Sequence, residues 1–267
     1  MIDYDLPPHH YHAATDYLTS GRLRDFIRSP ALYAIARKGH LPVKDSDALR
    51  FGTLFHLAIL EWNKYQEQVA YKPEGLNLST KEGKTWKEEN AGKLIHSQAD
   101  YSRVTGMMGT MPREVLAWLH AGKPEVTFRN ELGGFKAQCR ADSWNEKGNL
   151  LYDLKTISAI EKIETEIYKR GYHIQGRFYQ RLMQIETGKL PTLRFIFAES
   201  APPFRWRVVQ LDVDYQMFAD TAMDDALAEM AECERTGRWE DRDPLHLIAS
   251  PPAWAGEDDD ETEGEDE

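Results

Sequence analysis

The feature that most restricts what this chain can fold into is a change of hydrophobic period at residue 125. Upstream, apolar residues recur at helical spacing. Downstream, residues 125–144 (EVTFRNELGGFKAQCRADSW), 149–156 (NLLYDLKT), 193–200 (LRFIFAES) and 204–212 (FRWRVVQLD) show the β-branched and aromatic alternation of strands. A helical stretch, 163–189, interrupts them before Leu190-Pro191, and another, 212–239, follows and closes at Gly237. The order of helices, then β-β-β-α-β-β, then helix specifies an α/β or α+β arrangement: a central mixed sheet with helices on its faces.

The upstream half reads as separate helices. Residues 20–39 form a helix with apolar Leu23, Phe26 and Ile27, a Ser-Pro break, and a second helix. Residues 48–62 form a strong helix opened by Gly52-Thr53, on which His56 faces the same way as Leu60. Alone, such a histidine reads as a core residue. A loop and an exposed helix occupy 73–100, and one helical stretch covers 99–120 until Gly122-Lys123-Pro124 stops it.

Charges are least expected in CRADSWNEKGNLLYDLKT, residues 139–156, where Asp142, Asp153 and Lys155 sit among apolar strand residues. Strand alternation puts Asp153 and Lys155 on one face and Leu154 on the other. Asp142 opposes Asp153 only if the turn holds an even number of residues, as NEKGNL or EKGN would. Two carboxylates facing each other destabilise a sheet. A divalent cation reverses that sign, because it takes several hard oxygen ligands and neutralises both charges. The bland alternative is an exposed hairpin with a cross-strand Asp–Lys pair.

Net charge is −11, which at first argues against a nucleic-acid partner. Nine acids lie in residues 257–267, so the rest of the chain carries only −2 and can still concentrate bases in one groove. Arg22, Arg24, Arg28, Arg37 and Lys38 make 20–39 the most basic stretch, read either as a solvated helix face or as a phosphate-facing one. The acidic tail, 256–267, is expected to be disordered and solubilising. The alternative is that it mimics DNA charge and competes for the groove. The two cysteines, Cys139 and Cys233, lack metal-site spacing. No apolar run is long enough to cross a membrane, the first residues lack the pattern of a signal peptide, and a reducing cytoplasm is expected.

Several of these segments resemble, in order, one family. CRAD and DLKT resemble the core of the PD-(D/E)xK nuclease superfamily, with Ala141 where a proline commonly precedes the first acid. SGRLRDFIRSPALY, FGTLFH, HIQGRFY and the late GRW…HLIASPPAW resemble the RecE-type, exonuclease VIII-like branch and its phage relatives. The resemblance implies a restriction-endonuclease-like PD-(D/E)xK core in one nuclease domain, residues 1–255. Its helical part spans about 16–120, its sheet about 125–211 and its C-terminal helix and extension 212–255. It implies Mg²⁺, with Mn²⁺ as substitute, bound by Asp142, Asp153, the Leu154 carbonyl and His56, with Glu125 as a further ligand. Lys155 would position or activate water, and Gln175 and Tyr179, one helical turn apart, would orient Lys155 or a phosphate. The implied activity is resection of double-stranded DNA ends, 5′ to 3′, leaving a 3′ single strand for an annealing protein in recombination or repair, with a ring-forming homo-oligomer as the assembly. A structure-specific or restriction-type endonuclease and a non-catalytic DNA-binding module are the alternatives.

Overall fold

The computed structural model describes residues 1–39, 46–240, 242 and 250. The tail at 256–267, and HLIASPPAW apart from Ser250, lie outside the described residues.

The chain enters through a two-residue strand, β1 (Ile2–Asp3), and a short helix, α1 (Pro8–Ala13). In α2 (Ser20–Arg28) the Thr19 hydroxyl caps the first turn, and Leu23 and Phe26 are buried. Ser29 ends α2 and caps α3 (Pro30–Arg37), whose first residue is the proline whose fixed φ suits that position. Next comes α4 (Asp47–Leu60), capped by Ser46, with Phe51, Leu54, Phe55, Ala58 and Ile59 buried. Each of the buried Phe51, Leu54, Phe55 and Ile59 side chains stabilises the fold by roughly 1.5–3 kcal/mol of removed apolar surface.

A helix α5 (Trp62–Gln68), then β2 (Val69–Tyr71), α6 (Lys81–Glu89) and β3 (Leu94–His96) form an excursion in which β2 and β3 pair in parallel. The expected single helix over 99–120 is two, α7 (Gln98–Thr110) and α8 (Arg113–Ala121). Pro112 lacks the N–H that would continue α7, and it serves instead as the N-cap of α8.

The large sheet is built from β1, β4 (Lys123–Leu132), β5 (Phe135–Asn145), β6 (Leu150–Ile157), β7 (Thr192–Glu199) and β8 (Trp206–Val209), in that spatial order. Only β6 and β7 run parallel, so the sheet is mixed, as expected. Their crossover contains α9 (Ile163–Lys169) and α10 (Tyr172–Thr187), where the sequence suggested one helix. The break is Gly171, whose φ of 64° lies in the left-handed region. A further helix, α11 (Val213–Thr236), packs beside α10.

Two cores result. One holds α2, α3, α9, α10 and α11 against Cys139, Ala141, Leu151, Phe195 and Phe197. The other holds α4, α7 and α8 against Tyr152, Leu154, Ile196 and Ala198. Strands β6 and β7 are therefore buried on both faces, as their near-continuous apolar sequences suit. An aspartate in β6 lies between two cores. Among the described residues, no helix is long and apolar enough to cross a membrane.

Candidate active site

The β5–β6 hairpin has the even turn, Glu146 to Asn149, with Ser143 opposite Tyr152, Trp144 opposite Leu151 and Asn145 opposite Leu150. Continued one step, this register sets Asp142 across from Asp153. The ladder, however, stops at Ser143 and Tyr152. Beyond it Asp142 Oδ2 accepts the backbone N–H of Leu154 at 2.7 Å. The other neighbour of β5 shows why. Glu125, between Pro124 opposite Ser143 and Val126 opposite Ala141, has a φ of 55°, uncommon outside glycine. Ala141 and Trp144, three residues apart, lie in the same core, so the two-residue alternation of β5 is broken around Asp142. The backbone irregularity coincides with the acids.

There His56, Glu125 and Asp142 each bring a ligand-type atom within 4.8 Å of the others. His56 Nε2 donates to the Leu154 carbonyl at 2.7 Å. Its Nδ1 is left facing Asp142 Oδ2 at 3.7 Å. Metal-binding histidines characteristically fix one nitrogen on a carbonyl in this way and use the other. Burial, then the Asp142 charge, raises the Glu125 carboxyl to about 8, a sign of crowded negative charge that a cation would relieve. One imidazole and hard carboxylate oxygens are a donor set suited to Mg²⁺ or Mn²⁺.

Asp153 is 1% exposed and faces the other core. Its Oδ1 is ion-paired with Lys155, and its Oδ2 accepts from Gln175 Nε2 on α10 at 2.8 Å. Lys155 Nζ also lies 5.0 Å from the centre of the Tyr172 ring. Burial raises the Asp153 carboxyl to about 6, against the opposing pull of Lys155. Burial alone would lower the Lys155 ammonium, but the Asp153 and Asp142 charges outweigh it and hold the group above the usual lysine value. Lys155 is thus a fixed cation at neutral pH, placed to orient or stabilise negative charge rather than to remove a proton.

The arrangement pairs a His/Glu/Asp cluster with an adjoining Asp–x–Lys, on a sheet with a βαβ crossover. The family described as "PDDEXK-like domain of unknown function (DUF3799)" matches residues 19–243. The chain belongs to this family. Its sheet and flanking helices form the PD-(D/E)xK-like fold that the residues CRAD and DLKT resemble. A solved structure, described as a "putative exonuclease" from Eubacterium rectale, aligns with a TM-score of 0.67 at 17% identity, covering 93% of this chain and 96% of that one. At that identity the likeness speaks to the fold. A structure of SSO0001 aligns with a TM-score of only 0.31 at 14% identity, over 84% of this chain and 88% of that one. The comparison with curated proteins gives no match.

Within this PDDEXK-like domain the residues singled out in the sequence fall into two groups. His56, Glu125, Asp142 and the Leu154 carbonyl converge on the side of α4, while Asp153, Lys155 and Gln175 converge on the side of α10. Tyr179 is buried one turn beyond Gln175, and burial followed by the neighbouring Tyr11 and Asp153 holds its phenol well above the usual value. Among the described residues no hydrogen bond joins its hydroxyl to Asp153 or Lys155.

Sequence reasoning missed Arg140 as a support. Its guanidinium donates to Thr127 Oγ1 at 3.1 Å and to the Leu6 carbonyl at 2.7 Å, lies 4.5 Å from the Tyr11 ring, and stands 3.8 Å from Glu125 Oε2. The only signal was an arginine inside an apolar strand. It also missed Tyr172, which directly precedes HIQGRFY.

Proposed function

We propose that this PDDEXK-like domain is a Mg²⁺- or Mn²⁺-dependent deoxyribonuclease that degrades double-stranded DNA from its ends, 5′ to 3′, leaving a 3′ single strand suited to strand annealing. The observation that carries the reading is the convergence of His56, Glu125 and Asp142 on the Leu154 segment, directly beside the Asp153–Lys155 pair. A divalent cation held by His56, Glu125 and Asp142 would supply Lewis-acid polarisation of a phosphodiester. The protein's own groups do the rest. Lys155, fixed by Asp153 and the Tyr172 ring, offers a positive charge to a phosphate oxygen. Gln175 holds Asp153 so that Lys155 stays aimed, and Arg140 holds Glu125 toward His56 and Asp142. The polarity rests on the sequence resemblance alone, and the end preference on that resemblance together with the description of the Eubacterium rectale structure as an exonuclease.

The test is digestion of linear and covalently closed circular duplex with Mg²⁺, against EDTA. Loss of linear duplex, protection of the circle and mononucleotide products are expected. Rapid cutting of the circle would instead mark an endonuclease of the same superfamily. No digestion of any DNA would leave a binding module.

A further inference from the structure

A cavity of about 930 Å³ opens on Lys155 and Gln175 between α2, α9, α10 and α11. Five cations line it, Arg24, Arg28, Lys155, Lys169 and Arg170, against one acid, Asp25, among the described residues. In a chain of net charge −11 this is a marked local reversal of sign. Lys155 is paired with Asp153, but the other charges are only partly neutralised from within. Arg24 donates to two backbone carbonyls, those of Ser20 and Arg170, rather than to an acid. Among the described residues Arg28 and Lys169 have no ion-pair partner, while Arg170 is paired with Glu166.

The rim adds a second kind of group. Tyr168 on α9 is 60% exposed and Phe218 on α11 is 51% exposed, their ring centres 6.2 Å apart. Buried His173 lies parallel beneath Tyr168, at 5.8 Å and 4°, and is also 5.6 Å from Phe218. These rings form a supported platform with apolar faces open to water. A cationic trough beside stacked aromatic rings is the combination that holds single-stranded nucleic acid, phosphates on the cations and bases on the rings, without reading sequence.

We infer that this cavity is a single-strand binding cleft, in which Tyr168 and Phe218 stack a base while Arg28 and Lys169 contact the backbone phosphates next to Lys155. The inference rests on the nuclease reading only in taking Lys155 as the neighbour of the scissile phosphate. The occupant is a single strand continuous with the substrate; the released mononucleotide, which presents the same base and phosphate chemistry, is the source that the test separates from it.

The test is anisotropy of a short fluorescein-labelled oligothymidylate with the full chain in EDTA, where no hydrolysis occurs. Tyr168→Ala and Phe218→Ala should each weaken binding about fivefold or more, while Tyr168→Phe, which keeps the ring, binds like wild type. Arg28→Ala should reduce the slope of log affinity against log salt by about 0.7. Both rings are exposed, so melting temperatures should be unchanged. Competition by thymidine monophosphate but not thymidine assigns the cleft to the mononucleotide; competition by neither, with the ring effects intact, assigns it to a continuous strand. Ring variants that bind as wild type overturn the cleft, and this also covers a rim that docks a protein. The nuclease reading stands or falls separately: digestion with unaffected ring variants removes the cleft alone, whereas ring-dependent binding without digestion removes the nuclease alone.

Discussion

His56 and Leu154, 98 positions apart in the chain, meet where the imidazole Nε2–H donates to the strand carbonyl at 2.7 Å. The backbone N–H of the same leucine donates to Asp142 Oδ2. One residue of β6 thus orients two of the three converging groups through its main chain, and its side chain stays in the core. Substituting Leu154 by Ile or Met should therefore spare metal binding. His56→Ala should weaken Mn²⁺ binding, measured by calorimetry, at least tenfold, because it removes a ligand along with its orienting bond. Unchanged affinity in His56→Ala would remove His56 from the site.

Asp153 and Lys155 form a buried pair, so their variants affect folding and chemistry together. Asp153→Ala leaves the Lys155 ammonium without its partner and should cost about 3–5 kcal/mol, read by chemical denaturation. Asp153→Asn keeps an oxygen for Gln175 and should lose less stability while still losing digestion. The double variant Asp153→Leu with Lys155→Met should recover stability without recovering digestion. A double variant that digests linear DNA would show that the pair is structural only.

The metal-free protein should lose stability as pH rises. The Glu125 carboxyl sits at about 8 in the folded chain, against 4.5 for an ordinary glutamate. Between those values the folded state holds a proton that the unfolded state has released, so stability falls with rising pH across the window. Asp153, raised to about 6, acts in the same direction between the ordinary 3.8 and that value. In EDTA the melting temperature should fall from pH 5 to pH 8.5, by about 2–4 °C for each 1 kcal/mol lost in a chain of this size. Glu125→Gln should flatten the slope, and Mg²⁺ should flatten it in the wild type. A rising slope would contradict the assigned burial of these acids.

Gly171 is needed for its backbone and for what lies over it. At a φ of 64°, an added Cβ would stand 2.6 Å from Arg24 Cδ. Gly171→Ala should destabilise by about 1–3 kcal/mol through the backbone conformation alone. It should also push Arg24 off the cavity wall. Thermal unfolding checks the first effect, and a lower salt dependence of oligonucleotide binding checks the second.

Much of the fold was legible because its signals are periodic. Strand alternation gave the sheet, and the residues allowed the even turn found at Glu146 to Asn149, with Ser143 opposite Tyr152. What was not legible is aperiodic. Neither the positive φ of Glu125 nor the broken alternation at Asp142 follows from residue types, yet together they set where the acids point. Asp153 turns to Gln175 because the crossover lays α10 over β6, a long-range contact with no local trace. Arg140 depends on the first dozen residues, which lack a period and nevertheless supply the Leu6 carbonyl and the Tyr11 ring. His56 stood out from a core histidine only through the family resemblance.

The parallel pairing of β6 with β7 has a consequence for the life of the chain before it is fully folded. A hairpin such as β5–β6 forms from neighbours in sequence, but β6 cannot acquire β7, or Gln175, until the whole crossover from Ser158 to Pro191 has closed. Such non-local closure is late and slow in folding. His56 arrives from still farther away, on a helix that must dock on the opposite face. A partly synthesised or partly folded chain thus carries the acids without the groups that aim them. On the nuclease proposed above, the site is complete only once the sheet is, so hydrolysis would await a whole chain.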